Sequence, residues 1–587
     1  MNIRTRSAVL VVIGDIGRSP RMCYHAKSLA DKNCFVQLVG YMDSQPHPTI
    51  FKHPNIKFLP LRSLPKIVDG LKGTYQKLLL AVKFLWVFLT LFFTLLLHVK
   101  WPELIMMQNP PGVPAMFVCW LAAKLYRAQF IIDWHNYTYS ILCQTYCINE
   151  SDLHLRSASG GSQSVAQPGE NISAYTATDL KRRRAVRVDR PVHGVTAVTS
   201  KRKKWNNDKK SGRIIRRAIE GIHFWEGFFG RRADLNLCVT HAMREHMISE
   251  WSIRPATVYD KPPSWKFKIL DVEQRHQLFW RLSQSVSDFA SFKSPVNEAN
   301  ENEATCFSFR DANGVAHLRL NRPLLLISST SWTEDEDFSY LFDALREYDN
   351  VVQLSSGTNP VTRLPFMICV ITGKGPMKDY YLSRIEKAEM QNVVVVTPWM
   401  RAEDYPLLLG SADIGVSLHT STSGLDLPMK ALDMFGSGLP VIAKRFPAVN
   451  ELINEGINGC LFDTSTELFN ILKSLACGFP QHSTQLNTLA LNVSKEPKIS
   501  WDVNWDACVW PLIRGSQAGL SDKRAHRESY VATKDGKSNS DTCKKEVDEK
   551  KLDRVEENVK TVATGKEIQS ETSETNLQEM DAENNAF

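Results

Sequence analysis

The chain begins with a short apolar run that ends in a glycine-rich turn, and this unit constrains the fold more than any other segment. The run spans Ala8 to Ile13 and is followed by GDIGRSPR, from Gly14 to Arg21, and by helix-compatible residues, Met22 to Ala30. A strand, a tight turn and a helix in this order are typical of a parallel sheet. Further strand candidates follow at Phe35 to Tyr41, Ile56 to Leu61, Leu104 to Met107 and Gln129 to Asp133.

A second unit of the same kind begins at Pro323. The run LLLISSTSW is followed by a helix-compatible segment and then by MICVITGKGP, NVVVVTPWM, ADIGVSL and GLPVIAK. A chain of 587 residues is long enough for two or three domains. We therefore predict an α/β fold with two Rossmann-like domains that face a cleft. The expected units are an N-terminal domain over 1–265, a linker or insertion over 266–321, and a C-terminal domain over 322–515.

The positive charge of the chain is concentrated in one segment. The formal net charge is +8, but residues 151–217 alone hold sixteen basic and five acidic residues. We expect this segment to be a disordered basic insertion, with a milder insertion over 283–321 and a disordered tail over 516–587. Attraction to anionic lipid head groups is the functional alternative for the basic segment. Aromatic residues hardly interleave with the basic ones, so we predict no nucleic acid partner.

Residues 78–99 form an almost uncharged apolar run, LLLAVKFLWVFLTLFFTLLLHV. As a helix this run would be about 33 Å long, enough for a transmembrane helix in a bilayer core of about 30 Å. A single span would separate the first strands from the rest of their sheet. We therefore expect a membrane-associated apolar helix that enters from one face or lies in the interface, with Lys83 reaching toward the surface. A buried core helix is the alternative.

The first glycine-rich turn is a candidate binding site for a phosphate group. Gly14 and Gly17 leave backbone N–H groups free at a helix N-terminus, and Arg18 and Arg21 add positive charge. Strand–glycine–helix turns without a ligand are also common. No GKS or GKT follows, so the turn is not a P-loop.

The second unit offers a stronger set of candidates for a nucleotide diphosphate. Gly373, Lys374 and Gly375 follow a strand in ITGKGP, and the later stretch SGLDLPMKALDMFGSGLPV contains Lys430. Ligands of open α/β sheets bind at the C-terminal ends of the strands. A diphosphate on the second domain, facing an acceptor on the first, fits this arrangement. The two lysines and Arg18 are candidates for the positive charge, with a solvated surface as the alternative for each.

The acidic stretch TEDED has two interpretations. Its Asp-x-Asp pattern suggests a metal site, but acidic residues also cap the positive end of a following helix. We favour the capping interpretation and predict no metal site. Glu334 is kept as a candidate for contact with a hydroxyl group of the donor.

Several long strings resemble one enzyme family and occur in the family's order. They are GDIGRSPRMCYHAKSLA, QNPPGVP, IIDWHNYTYSIL, YDKPP, SSTSWTEDEDF and ADIGVSLHTSTSGLDLPMKALDMFGSGLP. Through them most of residues 11–462 resembles the chitobiosyldiphosphodolichol β-mannosyltransferase family. The resemblance implies a GT-B fold and an inverting transfer of the first mannose from GDP-mannose to GlcNAc₂-diphosphodolichol, in β-1,4 linkage, for protein N-glycosylation. It also implies no obligate cofactor, with divalent-ion stimulation left open.

The same resemblance implies the location and partners of the chain. It places the protein at the endoplasmic reticulum membrane with its catalytic domains on the cytosolic face, and the twelve cysteines, which lack a paired pattern, agree with a reducing compartment. Implied partners are GDP-mannose, dolichol-linked chitobiose, the membrane and other mannosyltransferases of lipid-linked oligosaccharide assembly. Two alternatives stay open, a GT-B transferase with another nucleotide sugar or lipid acceptor, and a non-catalytic scaffold subunit.

An inverting transfer needs a base that takes the proton of the acceptor hydroxyl. The catalytic candidates are Asp15, in the first turn, and Asp133 and His135, at the end of a strand. Three alternatives stay open: His135 is a structural histidine, Asp133 only orients His135, and Asp15 only caps the helix. Asp433 matches the ribose-binding Glu in the EAMASGxP stretch of retaining GT-B enzymes, and Asp426 is a nearby candidate.

Overall fold

Two parallel sheets organise the chain into two α/β units. The computed structural model describes residues 6–64, 76–150, 153, 209–290, 303–333, 336–354, 361–398, 400–401, 403–496 and 499–515. All strand pairs within the two sheets are parallel. Apolar side chains fill a layer on each face of each sheet. The two Rossmann-like domains predicted from the sequence are therefore confirmed.

The first sheet has seven strands in the order β3-β2-β1-β4-β5-β6-β7. Strand β1 lies inside this sheet and is buried on both faces, which explains why its sequence is continuously apolar instead of alternating. The strands predicted between residues 8 and 133 are all present. The seven strands are Ser7–Asp15 (β1), Phe35–Tyr41 (β2), Ile56–Pro60 (β3), Leu104–Asn109 (β4), Gln129–Trp134 (β5), Leu235–Cys238 (β6) and Ala256–Thr257 (β7).

The second sheet has six strands in the order β12-β11-β10-β13-β14-β15. A separate antiparallel hairpin, β8–β9, precedes it in the chain. These eight strands are Ser308–Arg310 (β8), Ala316–Leu318 (β9), Leu324–Ser329 (β10), Met367–Thr372 (β11), Val393–Val396 (β12), Ile414–Ser417 (β13), Val441–Lys444 (β14) and Gly459–Phe462 (β15).

Helices connect the strands, and several begin at a residue that caps the first turn. Thr240, Asp271 and Thr464 each accept a backbone N–H of the turn that follows. The helices are Pro20–Asp31 (α1), Pro48–Phe51 (α2), Gln76–Phe93 (α3), Ala115–Tyr126 (α4), Thr138–Thr145 (α5), Lys209–Gly230 (α6), His241–Trp251 (α7), Val272–Ser283 (α8), Ser339–Leu354 (α9), Lys378–Ala388 (α10), Asp404–Ser411 (α11), Met429–Gly436 (α12), Ser465–Ala476 (α13), Thr484–Lys495 (α14) and Trp501–Cys508 (α15).

The predicted apolar helix is present as α3, and a π-helical turn, Thr94–His98, continues it. One side of this segment is part of the core of the first domain, where Leu91 and Leu95 have no exposure. Other apolar side chains of the same segment, such as Phe93 and Leu97, are exposed. Among the residues described, no helix combines the length and the apolar character needed to cross a membrane. The transmembrane assignment that the length of the run allows is therefore not supported.

Two of the predicted insertions contain ordered elements. The basic segment was expected to extend over 151–217, but α6 already begins at Lys209. The apolar residues of α6 recur at helical spacing and pack on the first domain. A prediction based on the number of basic residues does not detect this spacing. In the predicted linker, Phe279 of α8 and Phe307, the residue before β8, lie in the core of the second domain. Residues 154–208 and the predicted tail, 516–587, lie outside the described residues.

The last described helix, α15, returns to the first domain. It belongs in sequence to the predicted unit 322–515, but Trp501, Trp505 and Val509 lie in the core beside β1 and α1. The connection from α14 runs beside the earlier connection between the domains, where the backbone N–H of Trp501 donates to the carbonyl of Pro262 (3.3 Å). The chain therefore crosses between the domains twice, at adjacent places.

Candidate active site

A cavity of about 230 Å³ lies between the two domains, beyond the C-terminal ends of β1, β4, β5 and β6. Of the residues predicted for the site, it brings together Arg18, Arg21 and His135 from the first domain with Asp426 from the second. Side chains from both domains line it, so a ligand bound here would contact both. The lining residues are Arg18, Ser19, Pro20, Arg21, Gln108, His135, Val239, Asp260, Asp426, Leu427 and Met429.

Asp15, the first base candidate, is held by the turn in which it lies. Its carboxylate accepts the backbone N–H groups of Ser44 (3.1 Å) and Gly17 (3.3 Å) and also the hydroxyl of Ser44. Arg18 contacts it at 3.4 Å. Burial acts to raise the pKa of Asp15, but the hydrogen bonds from Ser44 and Gly17 outweigh it, so the pKa is lowered. The geometry therefore favours the capping interpretation of Asp15.

Gly17 is required for this turn, whereas Gly14 is not tightly packed. A Cβ at Gly17 would lie 2.4 Å from the carbonyl oxygen of Ser44. The nearest contact of a Cβ at Gly14 is 3.9 Å away, at Val12. The two glycines of the predicted phosphate turn therefore have different structural roles.

Arg21 is buried beneath the cavity and binds two carboxylates. Its guanidinium donates to both oxygens of Asp133 (2.9 and 3.0 Å), and it also donates to Asp260 (2.8 Å) and to the carbonyl of Val258 (3.0 Å). Burial acts to lower the pKa of Arg21, but the two carboxylates outweigh it and raise the pKa. The fork geometry of arginine matches this role. Most of its donors are thus engaged by the protein and are not directed to a phosphate group.

His135 lies at the end of β5, where it joins the buried carboxylate of Asp133 to the cavity. Its Nε2 lies 2.7 Å from Oδ2 of Asp133, and its side chain is 22% exposed. Burial acts to raise the pKa of Asp133, but its donor neighbours outweigh burial and hold the pKa well below its usual range. An ionised carboxylate only accepts, so Nε2 carries the ring proton and Nδ1 keeps the lone pair. The arrangement can therefore remove a proton from a hydroxyl group in the cavity.

The glycines of ITGKGP let the loop after β11 approach the end of β10. Gly373 has φ +123°, and a Cβ there would lie 1.9 Å from the carbonyl oxygen of Thr330. A Cβ at Gly375 would lie 1.7 Å from the carbonyl oxygen of Ser331. Lys374 lies between them with an exposed side chain. The two glycines are therefore explained by close backbone packing.

The sequence interpretation missed the acid that the second domain buries at this place. Glu334 lies outside the described residues, whereas Glu336, two positions later, is 4% exposed. Its carboxylate accepts the hydroxyls of Thr330 (3.0 Å) and Ser331 (2.8 Å) and pairs with Lys430. Burial acts to raise its pKa, but Lys430 outweighs burial, so the pKa is lowered. Glu336 is the third acidic residue of TEDED, so this stretch was the sequence signal that could have indicated it.

Asp426 of the second domain contacts the first domain. It accepts the hydroxyl of Ser421, lies 3.6 Å from Nε2 of His419, and accepts an amide N–H of Asn136 from the first domain (3.3 Å). The same amide of Asn136 donates to Thr422 (2.9 Å). Asp426 thus lies at the edge where the two domains meet.

Asp433 is a partly buried carboxyl group on α12, and it does not line the cavity. Burial raises its pKa to about 7, with Lys266 opposing the shift and Asp260 adding to it. Carboxyl groups with a raised pKa occur often at functional sites, so Asp433 stays a candidate for ligand contact. Among the described residues, no cluster of His, Cys, Asp and Glu side chains could hold a metal ion.

Comparison with known proteins places these features in an enzyme family. Residues 343–477 match the family described as "Glycosyl transferases group 1". The human chitobiosyldiphosphodolichol beta-mannosyltransferase is 38% identical over 515 residues, which covers 86% of this chain and 92% of that protein. The mouse protein of the same name is 37% identical, over 88% and 90%, and the UDP-glycosyltransferase TURAN of Arabidopsis thaliana is 34% identical, over 88% and 98%.

Among solved structures, Anabaena HepE in complex with UDP and glucose aligns with a TM-score of 0.45 and 13% identity, over 89% of this chain and 99% of that chain. Sucrose-phosphate synthase from Thermosynechococcus elongatus aligns with a TM-score of 0.47 and 11% identity, over 90% and 100%. The two parallel α/β domains of this chain, with a cavity between them, form the GT-B architecture. This chain is a glycosyltransferase and belongs to the chitobiosyldiphosphodolichol beta-mannosyltransferase family.

Proposed function

We propose that this enzyme transfers the first mannose from GDP-mannose to GlcNAc₂-diphosphodolichol, in β-1,4 linkage and with inversion, for protein N-glycosylation. The substrate proposal is supported by similarity over most of the chain to proteins named for this acceptor. The observation that carries the mechanism is the pairing of His135 with Asp133 at the edge of a cavity shared by both domains.

In the proposed reaction, Nδ1 of His135 takes the proton of the acceptor hydroxyl. The hydroxyl oxygen then bonds to the anomeric carbon of mannose while the bond from that carbon to the diphosphate oxygen breaks. Asp133 stabilises the imidazolium that forms. Lys430, Lys374 and Arg18 are the proposed sources of positive charge for the departing diphosphate. Asp433 is proposed to hold the ribose of the nucleotide. No obligate metal ion or other cofactor is part of this mechanism.

The proposed acceptor is a membrane lipid, and the family resemblance implies the endoplasmic reticulum and its cytosolic face, so we propose that the enzyme acts there. The exposed side of α3 and its π-helical turn offers a surface for contact with lipid, because Leu85, Leu89, Phe93 and Leu97 recur every four residues along it. Trp101 is exposed just beyond the turn. Such a helix lies in the interface and does not cross the bilayer. Other mannosyltransferases of lipid-linked oligosaccharide assembly are proposed as further partners.

The test is a transfer assay with the purified full chain, labelled GDP-mannose and a short-chain GlcNAc₂-diphosphate lipid. His135→Ala removes the base and should lower kcat by about 10²–10⁴-fold. Asp433→Ala should instead raise the KM for GDP-mannose. A matched control is His317→Ala, because that histidine pairs with Asp311 on the β8–β9 hairpin and neither residue lines the cavity.

The outcomes separate the proposed reaction from its alternatives. A single β-linked mannose, lost in His135→Ala and kept in His317→Ala, supports both the reaction and the base. Transfer from UDP-glucose or another nucleotide sugar in preference to GDP-mannose would point to a different donor. No transfer by folded, vesicle-bound protein would point to a non-catalytic scaffold.

A further inference from the structure

Helix α15 reaches the floor of the active site from the far end of the described chain. Trp501 and Trp505 have exposures of 1% and 0% in the core of the first domain. Both indoles donate an N–H there, Trp501 to the hydroxyl of Ser28 (3.0 Å) and Trp505 to Nδ1 of His25 (2.9 Å). A serine hydroxyl does not titrate near neutral pH, whereas histidine is a titratable side chain. His25 also lies beside Asp133, the partner of the proposed base His135.

The bond from Trp505 determines which nitrogen of His25 carries the proton. An indole N–H is only a donor, so Nδ1 of His25 is an unprotonated acceptor. Burial lowers the pKa of His25 although Asp133 opposes the shift, so the ring is neutral and its proton lies on Nε2. This Nε2 lies 3.3 Å from Oδ2 of Asp133. This contact is close but is not aligned as a hydrogen bond, so His25 brings an N–H, and not a lone pair, near the carboxylate.

The oxygen that His25 faces is the one that binds His135. Oδ2 of Asp133 accepts N–H groups from Arg21 (2.9 Å) and His135 (2.7 Å). A further N–H dipole near this oxygen weakens its hold on a proton shared with His135 by its electrostatic field. The other tautomer of His25 would place a lone pair there and strengthen that hold. A change at Trp505 thus reaches His135 through two intermediate side chains.

We propose that Trp505 is a positioning residue that tunes the general base His135 by fixing the tautomer of His25. The proposal rests on the proposed function, which assigns His135 as the base. Trp505 itself touches neither His135 nor the cavity. The other charged and titratable groups that face the pair of His135 and Asp133, or line the same cavity, are Arg21, His25, Asp260, Arg18 and Asp426.

The experiment replaces Trp505 with Phe, which keeps an aromatic ring in the core and removes the indole N–H. His25 can then turn a lone pair toward Asp133, and the proton on His135 is held more tightly. The acid limb of kcat/KM against pH is expected to move up by about 0.5 pH unit, with about threefold lower activity on that limb. Trp501→Phe is the matched control, because it removes an N–H from the same helix and core without touching His25.

A lower melting temperature alone would not distinguish this role from packing, so the pH profile decides. An acid limb that stays in place in Trp505→Phe, or moves equally in Trp501→Phe, overturns the proposal. The nitrogen chemical shifts of His25 in histidine-labelled full-length protein give a readout independent of turnover. Wild type should show an unprotonated Nδ1, and a protonated Nδ1 there also overturns the proposal. Full turnover by His135→Ala, measured separately, would refute the base assignment instead.

Discussion

At the scale of single residues, the three base candidates differ in how much of their hydrogen-bonding capacity the protein already uses. Asp15 accepts three hydrogen bonds from Ser44 and Gly17, and Asp133 is enclosed by Arg21 and two histidines. His135 is partly exposed and has one ring nitrogen committed to Asp133. The proton acceptor is therefore best sought on the histidine, and the two carboxylates support the turn and the ring.

Replacing Gly17 with Ala should disrupt the first turn, whereas the same change at Gly14 should not. The new methyl group at Gly17 would overlap the carbonyl of Ser44 and displace this residue, which donates two hydrogen bonds to Asp15. Overpacking of this kind costs about 1–3 kcal/mol. We expect a lower melting temperature and reduced transfer for Gly17→Ala, measured beside Gly14→Ala. Equal behaviour of the two variants would contradict this account of the turn.

For the candidate site residues, the sequence indicates the place in the fold better than the contacts. His135 and Asp133 follow from their place at the end of a strand, where parallel sheets bind ligands. Arg21 was predicted to meet a phosphate group, but its partners Asp133 and Asp260 lie 112 and 239 positions away, which no local pattern indicates. Which acidic residue of TEDED is buried likewise depends on how the chain turns before α9. The spacing of the acidic residues in the sequence does not indicate which one it is.

At the scale of elements, α3 combines a buried side with an exposed apolar side. Leu91 and Leu95 pack into the first domain, and Tyr126 of α4 donates its hydroxyl to the carbonyl of Leu95 (2.9 Å). Phe88 stacks on Phe117 of α4 with ring centroids 6.1 Å apart. The helix is thus fixed on the domain surface, so its outer side presents a rigid apolar ridge.

Changing Leu85 and Phe93 together to Gln should weaken binding to vesicles. Burying each such side chain contributes about 1.5–3 kcal/mol, so the double variant should bind at least about tenfold more weakly. The measurement is co-sedimentation with vesicles of phosphatidylcholine and phosphatidylserine. Leu491→Gln is the matched control, since Leu491 is also half-exposed but lies on α14 of the second domain. Equal loss in the control would contradict a role for this side of α3.

Elements that are mostly apolar were predicted well, and elements rich in charged residues or with very short strands were not. The predicted strand Phe35 to Tyr41 has the observed bounds, because both of its faces are buried. Helix α6 was missed over residues 209–217, where basic residues outnumber apolar ones in the sequence. The β8–β9 hairpin was missed because its strands have three residues each. Three residues are too few to show an alternation of apolar and polar side chains.

At the scale of the whole molecule, one carboxylate of the second domain joins the two domains. Glu451 accepts the backbone N–H groups of His241 and Ala242 (both 2.8 Å) at the first turn of α7. It also accepts the hydroxyl of Tyr259 (2.7 Å). A negative charge at a helix N-terminus is stabilising, and here the helix and the charge belong to different domains.

Glu451→Gln should loosen this junction while leaving each domain folded. The amide can no longer accept both backbone N–H groups with full charge, which costs about 1.4 kcal/mol or more of local stability. Hydrogen exchange at the start of α7 should therefore rise about tenfold. Glu455→Gln is the control, because Glu455 pairs with Arg445 within its own domain (3.1 Å). Unchanged exchange in Glu451→Gln would show that other contacts fix the junction.

The return of α15 to the first domain also has a consequence for biosynthesis. The first sheet is complete by Thr257, but the layer beside β1 and α1 receives Trp501 and Trp505 only when the end of the second domain has been translated. At about 5–20 residues per second, a ribosome needs roughly 12–50 s for the intervening stretch. During that interval the nascent first domain exposes an apolar groove, so the domain that starts first finishes last. A shortened message that ends before Trp501 would release a first domain that lacks part of its own core.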